Sequence, residues 1–540
     1  MRHVTQDQDG SVTTLGASDR SDVSRRSFLG GALGLTSLAA IGASGVAGCG
    51  SSSNASGSTG AAGKARRGGA LRIASTGGTT SDTLNADTEV NNTDVVRAPL
   101  LYDSLVTLNE QGHPALWLAE EITPNSNATA WTVRVRPDVV FHDGKPLTAD
   151  DVLYTFTRML KQHWNGAVNY TALDLASSRV LDKYTVRFGC SSPFSTFVEE
   201  MAGANGSAIL PVGYNPQRPV GTGPFRYHSF TPGVGSTFLR NDNYWQHGLP
   251  YLDSVSVLDF QDDSSQVNAL QANNVDAIAY LDAASVAGVK AAGYQTITTP
   301  GGAWNPITML VDQPPFNDVR VRQAFRLLVD RESLREAVFA GYGALGNDLF
   351  ATWDPEYDTE LPQRTQDLEQ AKYLLKQAGA ENLTTTLVTS NLAAGVTETA
   401  TVFAQQASAV GVTVNLSTLT PTTFFGPDYL HRTFSQDVWS YLPYWPTVAQ
   451  SSLPWSDYND THFTNASYAK LYGEALRTLN PQLRKELAWE MQKLQYNEGG
   501  YIVPVLVPNL MAYAPRVHGL TASKSGYPFN GSDLLNVWVE

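Results

Sequence analysis

The sequence has few charged residues and almost no cysteine. Asp, Glu, Lys and Arg make up 16% of its 540 residues, and the net charge at pH 7 is −14. Nucleic-acid binding needs a basic surface, so this acidic balance argues against a nucleic-acid partner. The only cysteines are Cys49 and Cys190. If Cys49 is modified, Cys190 has no partner for a disulfide, and we predict that it is a small buried hydrophobic residue.

The usual motifs of catalysis and of metal binding are also missing. The sequence contains no HExxH, CxxC, P-loop lysine or GxSxG motif, and its histidines show no close metal-binding spacing. GYGALG at 341–346 matches GxGxxG, but it follows a predicted helix, whereas a dinucleotide site needs a preceding strand. His142 and Asp143 lie in a Gly/Pro turn, where an Asp that caps its own backbone is favoured over a catalytic pair. We therefore predict a protein that is not an enzyme and uses no cofactor or metal.

Residues 1–48 have the features of an export signal. Arg25 and Arg26 precede a long segment rich in Gly, Ala and Leu, with no charged residue until Lys64. Twin arginines before such a segment are typical of Tat export. The segment ends in VAGC, which resembles a bacterial lipobox, and its Cys49 would be acylated to become the mature N-terminus. The alternative is an uncleaved anchor. Both place the rest of the chain at the outer face of the cytoplasmic membrane.

The remainder divides into a tether and a large folded part. Residues 49–68 contain no aromatic or β-branched aliphatic residue, so we predict a flexible tether. About 470 residues follow from Gly68 on, which exceeds the usual size of one hydrophobic core and predicts two or more lobes. Aromatic residues reach 10%, a composition that suits contact with small organic ligands.

Strand and helix patterns alternate along the folded part. WTVRVR, residues 131–136, alternates apolar and polar side chains before a proline and predicts a half-buried strand. Thr148, with Asp151 three residues on, predicts the start of a helix. Residues 317–341 form a second predicted helical region, which Gly341 is placed to end. Mixed strands and helices of this kind indicate an α/β architecture.

Five segments together resemble one family, the solute-binding proteins of ABC importers of the dipeptide/oligopeptide class. They occur in family order from about residue 70 to the C-terminus: LYDSLVTLNEQGHPALWLAEEITP, WTVRVRPDVVFHDGKPLTADDVLYTF, PVGTGPFRYHSFTPG with LRNDNYW, PFNDVRVRQAFRLLVDRESL, and DLEQAKYLLKQAGAEN. The resemblance implies an α/β fold of two lobes joined by crossing strands, with an extra subdomain on the first lobe. Lobe I would span 69–304, with the subdomain at about 94–215, lobe II would span 305–507, and 508–540 would return to lobe I.

The same resemblance implies a function. A lipid-anchored, monomeric receptor would capture a small organic or peptide-like solute between its lobes and deliver it to an ABC permease. A ligand sensor or an adhesion-type binding protein on the same fold is the main alternative, because the binding fold would be identical. An exported enzyme is the third possibility, since Tat carries folded proteins, but the missing cofactor motifs argue against it.

The stretch WSYLPYWP, residues 439–446, carries four aromatic residues and two prolines. In peptide-binding members the corresponding segment reads approximately Gly-Trp-x-x-Asp-Tyr-x-x-Pro, and its aspartate pairs with the ammonium group of the peptide. Trp439 matches the tryptophan, but Leu442 stands where the acid would be. No Asp or Glu occurs between Asp437 and Asp457. The resemblance therefore implies an aromatic wall without its acid, and ligands that are neutral at this end.

The candidate ligand-binding residues follow from this stretch and from the expected cleft. We expect one or two of the four aromatics to contact the ligand, through π-faces, apolar groups or sugar rings, and the others to pack in the core. Asp457 is the nearest candidate for a substitute acid, but an exposed turn is the role that we favour for it. The candidates are Trp439, Tyr441, Tyr444 and Trp445 in the stretch, Trp304 and Asn305 at the first crossing, Thr79 in the loop STGGTTSDT, and Trp455 and Asp457.

Overall fold

The computed structural model describes residues 65–88, 91–203, 208–299, 301–524 and 526–540. The predicted export signal, with Arg25, Arg26 and Cys49, lies outside these residues. Within the described ranges, no helix combines the length and the apolar character needed to cross a membrane.

The helices and strands follow one another along the chain with short connections. The α-helices are α1 (Asn92–Leu101), α2 (Ala149–Gln162), α3 (Phe197–Gly203), α4 (Asp263–Gln271), α5 (Val286–Ala291), α6 (Val319–Leu327), α7 (Arg331–Phe339), α8 (Leu368–Gln377), α9 (Val396–Ala407), α10 (Pro421–Phe424), α11 (Tyr444–Ser451), α12 (Ala466–Ala475), α13 (Pro481–Glu498) and α14 (Pro528–Ser532). Short 3₁₀ turns occupy Asn165–Tyr170, Ala283–Ser285 and Ser408–Val410. The strands are β1 (Ala70–Thr76), β2 (Val106–Leu108), β3 (Pro114–Leu116), β4 (Ala119–Pro124), β5 (Ala130–Val135), β6 (Leu173–Asp182), β7 (Thr185–Cys190), β8 (Phe225–Thr231), β9 (Gly235–Arg240), β10 (Ser254–Phe260), β11 (Ala277–Ile278), β12 (Gln295–Thr299), β13 (Ile307–Met309), β14 (Ala344–Leu345), β15 (Thr384–Ser390), β16 (Thr413–Leu419), β17 (Phe434–Gln436), β18 (Tyr501–Ile502), β19 (Val505–Leu506), β20 (Asn509–Tyr513), β21 (Val517–His518) and β22 (Trp538–Val539).

A seven-stranded mixed sheet forms the centre of the first lobe, lobe I, in the order β12-β20-β11-β1-β10-β9-β8. Strand β1 pairs in parallel with β10 and β11, with Ala70 opposite Ser254 and Ile73 opposite Ala277. Strand β20 comes from the C-terminal part of the chain and pairs antiparallel with β11 and β12. The C-terminal part thus supplies an inner strand of a sheet whose other strands come from residues 70–299.

A five-stranded sheet forms the centre of the second lobe, lobe II, in the order β16-β15-β17-β13-β18. Strand β15 runs parallel to β16 and β17. The predicted helical region 317–341 is two helices, α6 and α7, because Asp330 interrupts it and caps the second one by accepting the Ser333 N–H at 3.0 Å. Helix α7 ends at Phe339, two residues before Gly341, whose φ of +78° suits glycine.

The extra subdomain has its own sheet and core. Its four antiparallel strands have the order β4-β5-β7-β6, and β5 (Ala130–Val135) corresponds to the strand that was predicted from alternation. Helix α2 begins with the predicted capping box, in which the Thr148 N–H donates to Asp151 Oδ2 at 2.9 Å. Cys190 packs against this core but is only partly buried, because it lies at the end of β7.

The chain passes from one large sheet to the other in two places. One crossing lies between β12 and β13, and the second lies between β18 and β20. The predicted α/β, two-lobed fold class is confirmed. The predicted residue limits of the lobes stay a prediction.

Candidate functional site

The loops at the carboxyl ends of the parallel strands point to a site between the lobes. In open α/β sheets, ligands bind outside these strand ends. Lobe I places residues 77–88 after β1 and 279–282 after β11, and lobe II places 391–395 after β15 and 437–443 after β17. Burial, Asp263 and Glu398 raise the pKa of Asp282. Glu398 lies in the first turn of α9, directly after the 391–395 loop of lobe II, so its charge acts on Asp282 of lobe I.

The first group of aromatic residues lies at the crossings, and we call it the crossing stack. It consists of Trp304, Phe350, Trp439, Tyr444 and Tyr501. The backbones of Trp304 and Trp439 form an isolated β-bridge, with N–H to O distances of 3.1 and 3.0 Å. Their indole rings stack at 5.4 Å and 10°, and Phe350 stacks on Trp304 at 5.3 Å and on Tyr444 at 5.8 Å. The edge of Tyr501 meets the Trp304 ring at 5.0 Å.

Three polar side-chain atoms of the crossing stack have partners within the protein. Trp439 Nε1 donates to Asp460 Oδ2 at 3.2 Å, and the Tyr501 hydroxyl donates to the other carboxylate oxygen of Asp460. The Tyr444 hydroxyl donates to the Ala488 carbonyl at 3.3 Å. Trp304, Trp439 and Tyr444 are each exposed by 1% or less. With buried rings and paired donors, this stack has the character of a core.

Tyr441 lies in a second group, which we call the interlobe cluster and define as Tyr280, Trp353, Tyr441 and Tyr527. The ring of Tyr441 stacks on Trp353 at 4.0 Å and lies 5.7 Å from Tyr527. Burial raises the pKa of both Tyr280 and Tyr441, and the nearby Tyr527 contributes to each rise. Tyr280 follows strand β11 of lobe I, so this cluster contains side chains from both lobes.

Three polar atoms of the interlobe cluster are buried without a hydrogen-bond partner among the described residues. They are the hydroxyls of Tyr280 and Tyr441 and Nε1 of Trp353. Tyr280 is 3% exposed and Tyr441 is 1% exposed. An unpaired buried donor costs about 1–3 kcal/mol, so such groups in a native structure call for an explanation. In the crossing stack, by contrast, no side-chain polar atom is buried without a hydrogen-bond partner among the described residues.

Gly302, in the first crossing, makes room for the interlobe cluster. A Cβ at this position would overlap the ring of Tyr441 and would lie 2.6 Å from Trp353 Nε1. Only a residue without a side chain lets the crossing strand pass this close to both rings.

The loop after β1 is held by a buried ion-pair network. Arg97 is 1% exposed and pairs with Asp82 at 3.0 Å and with Asp259 at 2.7 Å. Asp82 also accepts the Thr79 N–H at 2.8 Å, while Thr79 itself is exposed. Arg97 was not among the predicted residues, although one arginine in the otherwise weakly charged helix NTDVVRAPLL was a usable signal.

The other candidate residues lie apart from the interlobe cluster. Asn305 is buried and donates from Nδ2 to the Ala394 carbonyl at 3.2 Å, which ties the first crossing to the loop after β15. Trp445 is buried in the first turn of α11, with Nε1 3.4 Å from Glu356 Oε1. Trp455 is 64% exposed, and Asp457, two residues on, is exposed.

The predicted ligand-binding residues therefore do not form one cluster in the structure. It brings Trp304, Trp439 and Tyr444 together in the crossing stack and places Tyr441 in the interlobe cluster. The sequence analysis missed Tyr280, Trp353 and Tyr527, which lie far from the aromatic stretch in sequence. Among the described residues, no group of three or more His, Cys, Asp and Glu side chains is arranged to hold a metal ion.

Comparison with known proteins gives matches over most of the chain. Residues 113–463 match the family model described as bacterial extracellular solute-binding proteins, family 5 middle. The oligopeptide-binding protein AppA of Bacillus subtilis is 29% identical over 337 residues, which cover 58% of this chain and 60% of AppA. The matched region thus spans less than two thirds of AppA.

Two further comparisons extend over a larger share of both chains. The glutathione-binding protein GsiB of Salmonella typhimurium is 24% identical over 468 residues, which cover 81% of this chain and 89% of GsiB. The structure of the periplasmic binding protein DppA from Helicobacter pylori, in complex with the peptide STSA, superimposes with a TM-score of 0.74 at 19% identity. That superposition covers 88% of this chain and 99% of DppA.

Proposed function

This chain belongs to family 5 of the bacterial extracellular solute-binding proteins, as its sequence segments predicted, and from that premise we propose that it delivers a ligand to an ABC permease. The ligand is a peptide-like or other small organic molecule held between the two lobes. The named relatives are binding proteins for oligopeptides and for glutathione. We propose that this chain is likewise a binding protein and performs no catalysis.

The observation that carries this proposal is the set of unpaired polar atoms in the interlobe cluster. The hydroxyls of Tyr280 and Tyr441 come from different lobes, and both are buried without a partner among the described residues. A ligand that enters between the lobes supplies those hydrogen bonds and is gripped from both sides. The stacked rings of Trp353 and Tyr441 offer it an aromatic surface. Such a site binds best when the lobes are closed.

The proposed ligand carries no ammonium group next to Leu442. This residue is 4% exposed and stands where the family has its aspartate, so an ammonium buried beside it would lack that partner, and a buried charge without its partner costs about 3–5 kcal/mol. We therefore propose N-blocked or cyclic peptides, glycosides or other ligands that are neutral at this end. Trp304, Trp439, Tyr444 and Trp445 would support this wall from behind, and Asn305 and Thr79 would belong to its rim. Trp455 and Asp457 would contact a ligand only if it extends to the surface.

We further propose that the protein is exported through Arg25 and Arg26 and is anchored as a monomer at the outer face of the membrane by lipid on Cys49. Replacing Cys49 with Ala should leave the protein exported but partly shed from cells. Replacing both arginines with Lys should block export. Metabolic labelling that finds no acyl chain on the wild-type protein would contradict the anchor.

The central test of the binding function uses the mature protein with its natural ligand. Native mass spectrometry of the purified protein should reveal a co-purifying small molecule. After that molecule is removed and then added back, small-angle scattering should show a more compact particle, and the melting temperature should rise with ligand concentration. Scattering that does not change at saturating ligand would contradict closure. Uptake of the same compound by cells with and without the gene then separates delivery to a permease from sensing.

A further inference from the structure

A cavity of about 240 Å³ lies between the extra subdomain and lobe II. The hairpin of β2 and β3 and helix α3 form its subdomain side, and the segments around Asp354, Trp445 and Arg484 form its lobe II side. Pro481 and Gln482 are exposed and mark its mouth. Prolines and the Trp445 ring give it apolar walls. Its ionisable lining groups are His113, Glu199, Asp354, Glu356, Arg484 and Lys485.

Two of the three carboxyl groups of this cavity share one buried guanidinium. Arg484 forms an ion pair with Glu199, lies 3.5 Å from Glu356 Oε1 through its Nε, and donates to the Ser195 carbonyl at 3.1 Å. Among the described residues, the two oxygens of Asp354 accept uncharged backbone donors, the N–H groups of Glu356 at 2.8 Å and of Tyr444 at 2.9 Å. Asp354 therefore reaches the aromatic stretch from a distant part of the sequence.

Two buried atoms of the lining lack a hydrogen-bond partner among the described residues. They are Oε2 of Glu356 and Nε of Arg484, and Arg484 is only 9% exposed. Glu356 already receives the Trp445 indole N–H on its other oxygen, so its free oxygen is available to a donor inside the cavity. A group with several N–H donors and a positive charge would satisfy this oxygen and approach Asp354 as well.

The electrostatics of the lining favour the same kind of group. Burial raises the pKa of Asp354 to about 7, and the negative charges of Glu356 and Glu199 add to the rise. Burial also raises the pKa of Glu199 and Glu356, against the opposing effect of Arg484. Carboxyl groups whose charged form is disfavoured in this way gain from an additional buried cation.

We propose that this cavity, which adjoins the interlobe cluster where Asp354 follows Trp353, is a second binding site, and that it takes the ammonium group of a small organic amine with an apolar body. The ammonium lies between Asp354 and Glu356, and the apolar body packs against Trp445 and the prolines. The site needs no particular ligand between the lobes, so a failure to bind amines would leave the proposed interlobe site untouched.

Calorimetric titration with phenethylamine and with its neutral twin, N-acetylphenethylamine, tests the proposal. The mature wild-type protein should bind the amine at least about tenfold more tightly than the acetylated twin, because only the amine carries the charge. Glu356→Gln, which keeps the acceptor for Trp445 but removes the charge, should abolish that difference. Glu110→Gln is the matched control, because Glu110 is an exposed residue of the hairpin that borders the cavity and does not line it.

A second measurement needs only the wild-type protein, so it tests the proposal even if Glu356→Gln does not fold. An ammonium beside Asp354 lowers its raised pKa, so amine binding near pH 7 should release protons. Titrations in two buffers with different ionisation enthalpies should show this release for phenethylamine and not for the acetylated twin. The proposal would be overturned if both compounds bind equally or if the amine does not bind. It would also be overturned if Asp457→Asn reduces the affinity for the amine and Glu356→Gln does not.

Discussion

The crossing stack and the interlobe cluster are neighbours built from aromatic residues, but they differ in whether their buried polar atoms have hydrogen-bond partners. In the crossing stack, Trp439 and Tyr501 share the carboxylate of Asp460. In the interlobe cluster, the hydroxyls of Tyr280 and Tyr441 are buried without a partner among the described residues. Burial alone does not distinguish the groups, since Trp439 and Tyr441 are exposed by 0% and 1%.

Hydrogen-bond satisfaction is therefore a better guide than burial to which aromatic residues contact a ligand. A paired and stacked ring stabilises the two crossings, whereas an unpaired hydroxyl between lobes is available to a ligand. Trp439 and Tyr441 lie two residues apart in the sequence, so proximity to the family tryptophan does not fix a role.

The largest expected effect is the loss of a ring from the crossing stack. Trp304→Ala removes the ring that contacts Phe350, Trp439 and Tyr501. It should lower the free energy of unfolding by about 3–5 kcal/mol, measured by urea denaturation. Trp455→Ala is the control, because Trp455 is 64% exposed, and it should change stability by no more than about 0.5 kcal/mol. A Trp304→Ala protein as stable as the control would contradict the structural role of the stack.

A smaller loss of stability is expected when Asp460, the acceptor for two donors of the crossing stack, is replaced. Asp460→Asn leaves one acceptor oxygen where Trp439 and Tyr501 each need one. One buried donor then loses its carboxylate acceptor, which should cost about 1–3 kcal/mol in the same denaturation experiment. Asp457→Asn, three residues earlier on the exposed surface, is the matched control. If the two variants unfold at the same urea concentration, the hydrogen bonds to Asp460 do not stabilise the crossing stack, which would contradict this account.

The fold could be predicted from the sequence further than the site could. Local rules correctly placed the strand at 131–135 and the Thr148 capping box, because alternation and capping depend on neighbouring residues. The break between α6 and α7 at Asp330 was missed, since the apolar spacing continues through it. Local sequence patterns thus predict regular helices and strands. They do not reveal a break between two helices when the apolar spacing continues across the capping residue.

The site depends on contacts that no local pattern contains. The partner ring of Tyr441 is Trp353, about 90 residues earlier, and the hydroxyl from the opposite lobe belongs to Tyr280. The carboxylate of Asp354 accepts the Tyr444 N–H, although the two residues lie 90 positions apart in the sequence. Only the fold brings these segments together.

The smallest expected change in stability accompanies the most direct test of the account, which is the removal of one hydroxyl from the interlobe cluster. Tyr441→Phe keeps the stacked ring but removes a hydroxyl that has no partner among the described residues. Tyr373→Phe, at a position that is 56% exposed, is the matched control. Tyr441→Phe should melt at or above the temperature of the wild-type protein, because it removes the cost of burying an unpaired hydroxyl, and Tyr373→Phe should melt like the wild type.

Calorimetric titration of these variants with the compound that co-purifies with the wild-type protein then decides the question. The account predicts that Tyr441→Phe weakens binding by about 0.5–1.5 kcal/mol, the net contribution of one hydrogen bond, or roughly 2- to 13-fold in Kd. Tyr373→Phe should bind like the wild type. Unchanged affinity in Tyr441→Phe, or a loss of stability without a loss of affinity, would contradict the claim that this hydroxyl faces the ligand.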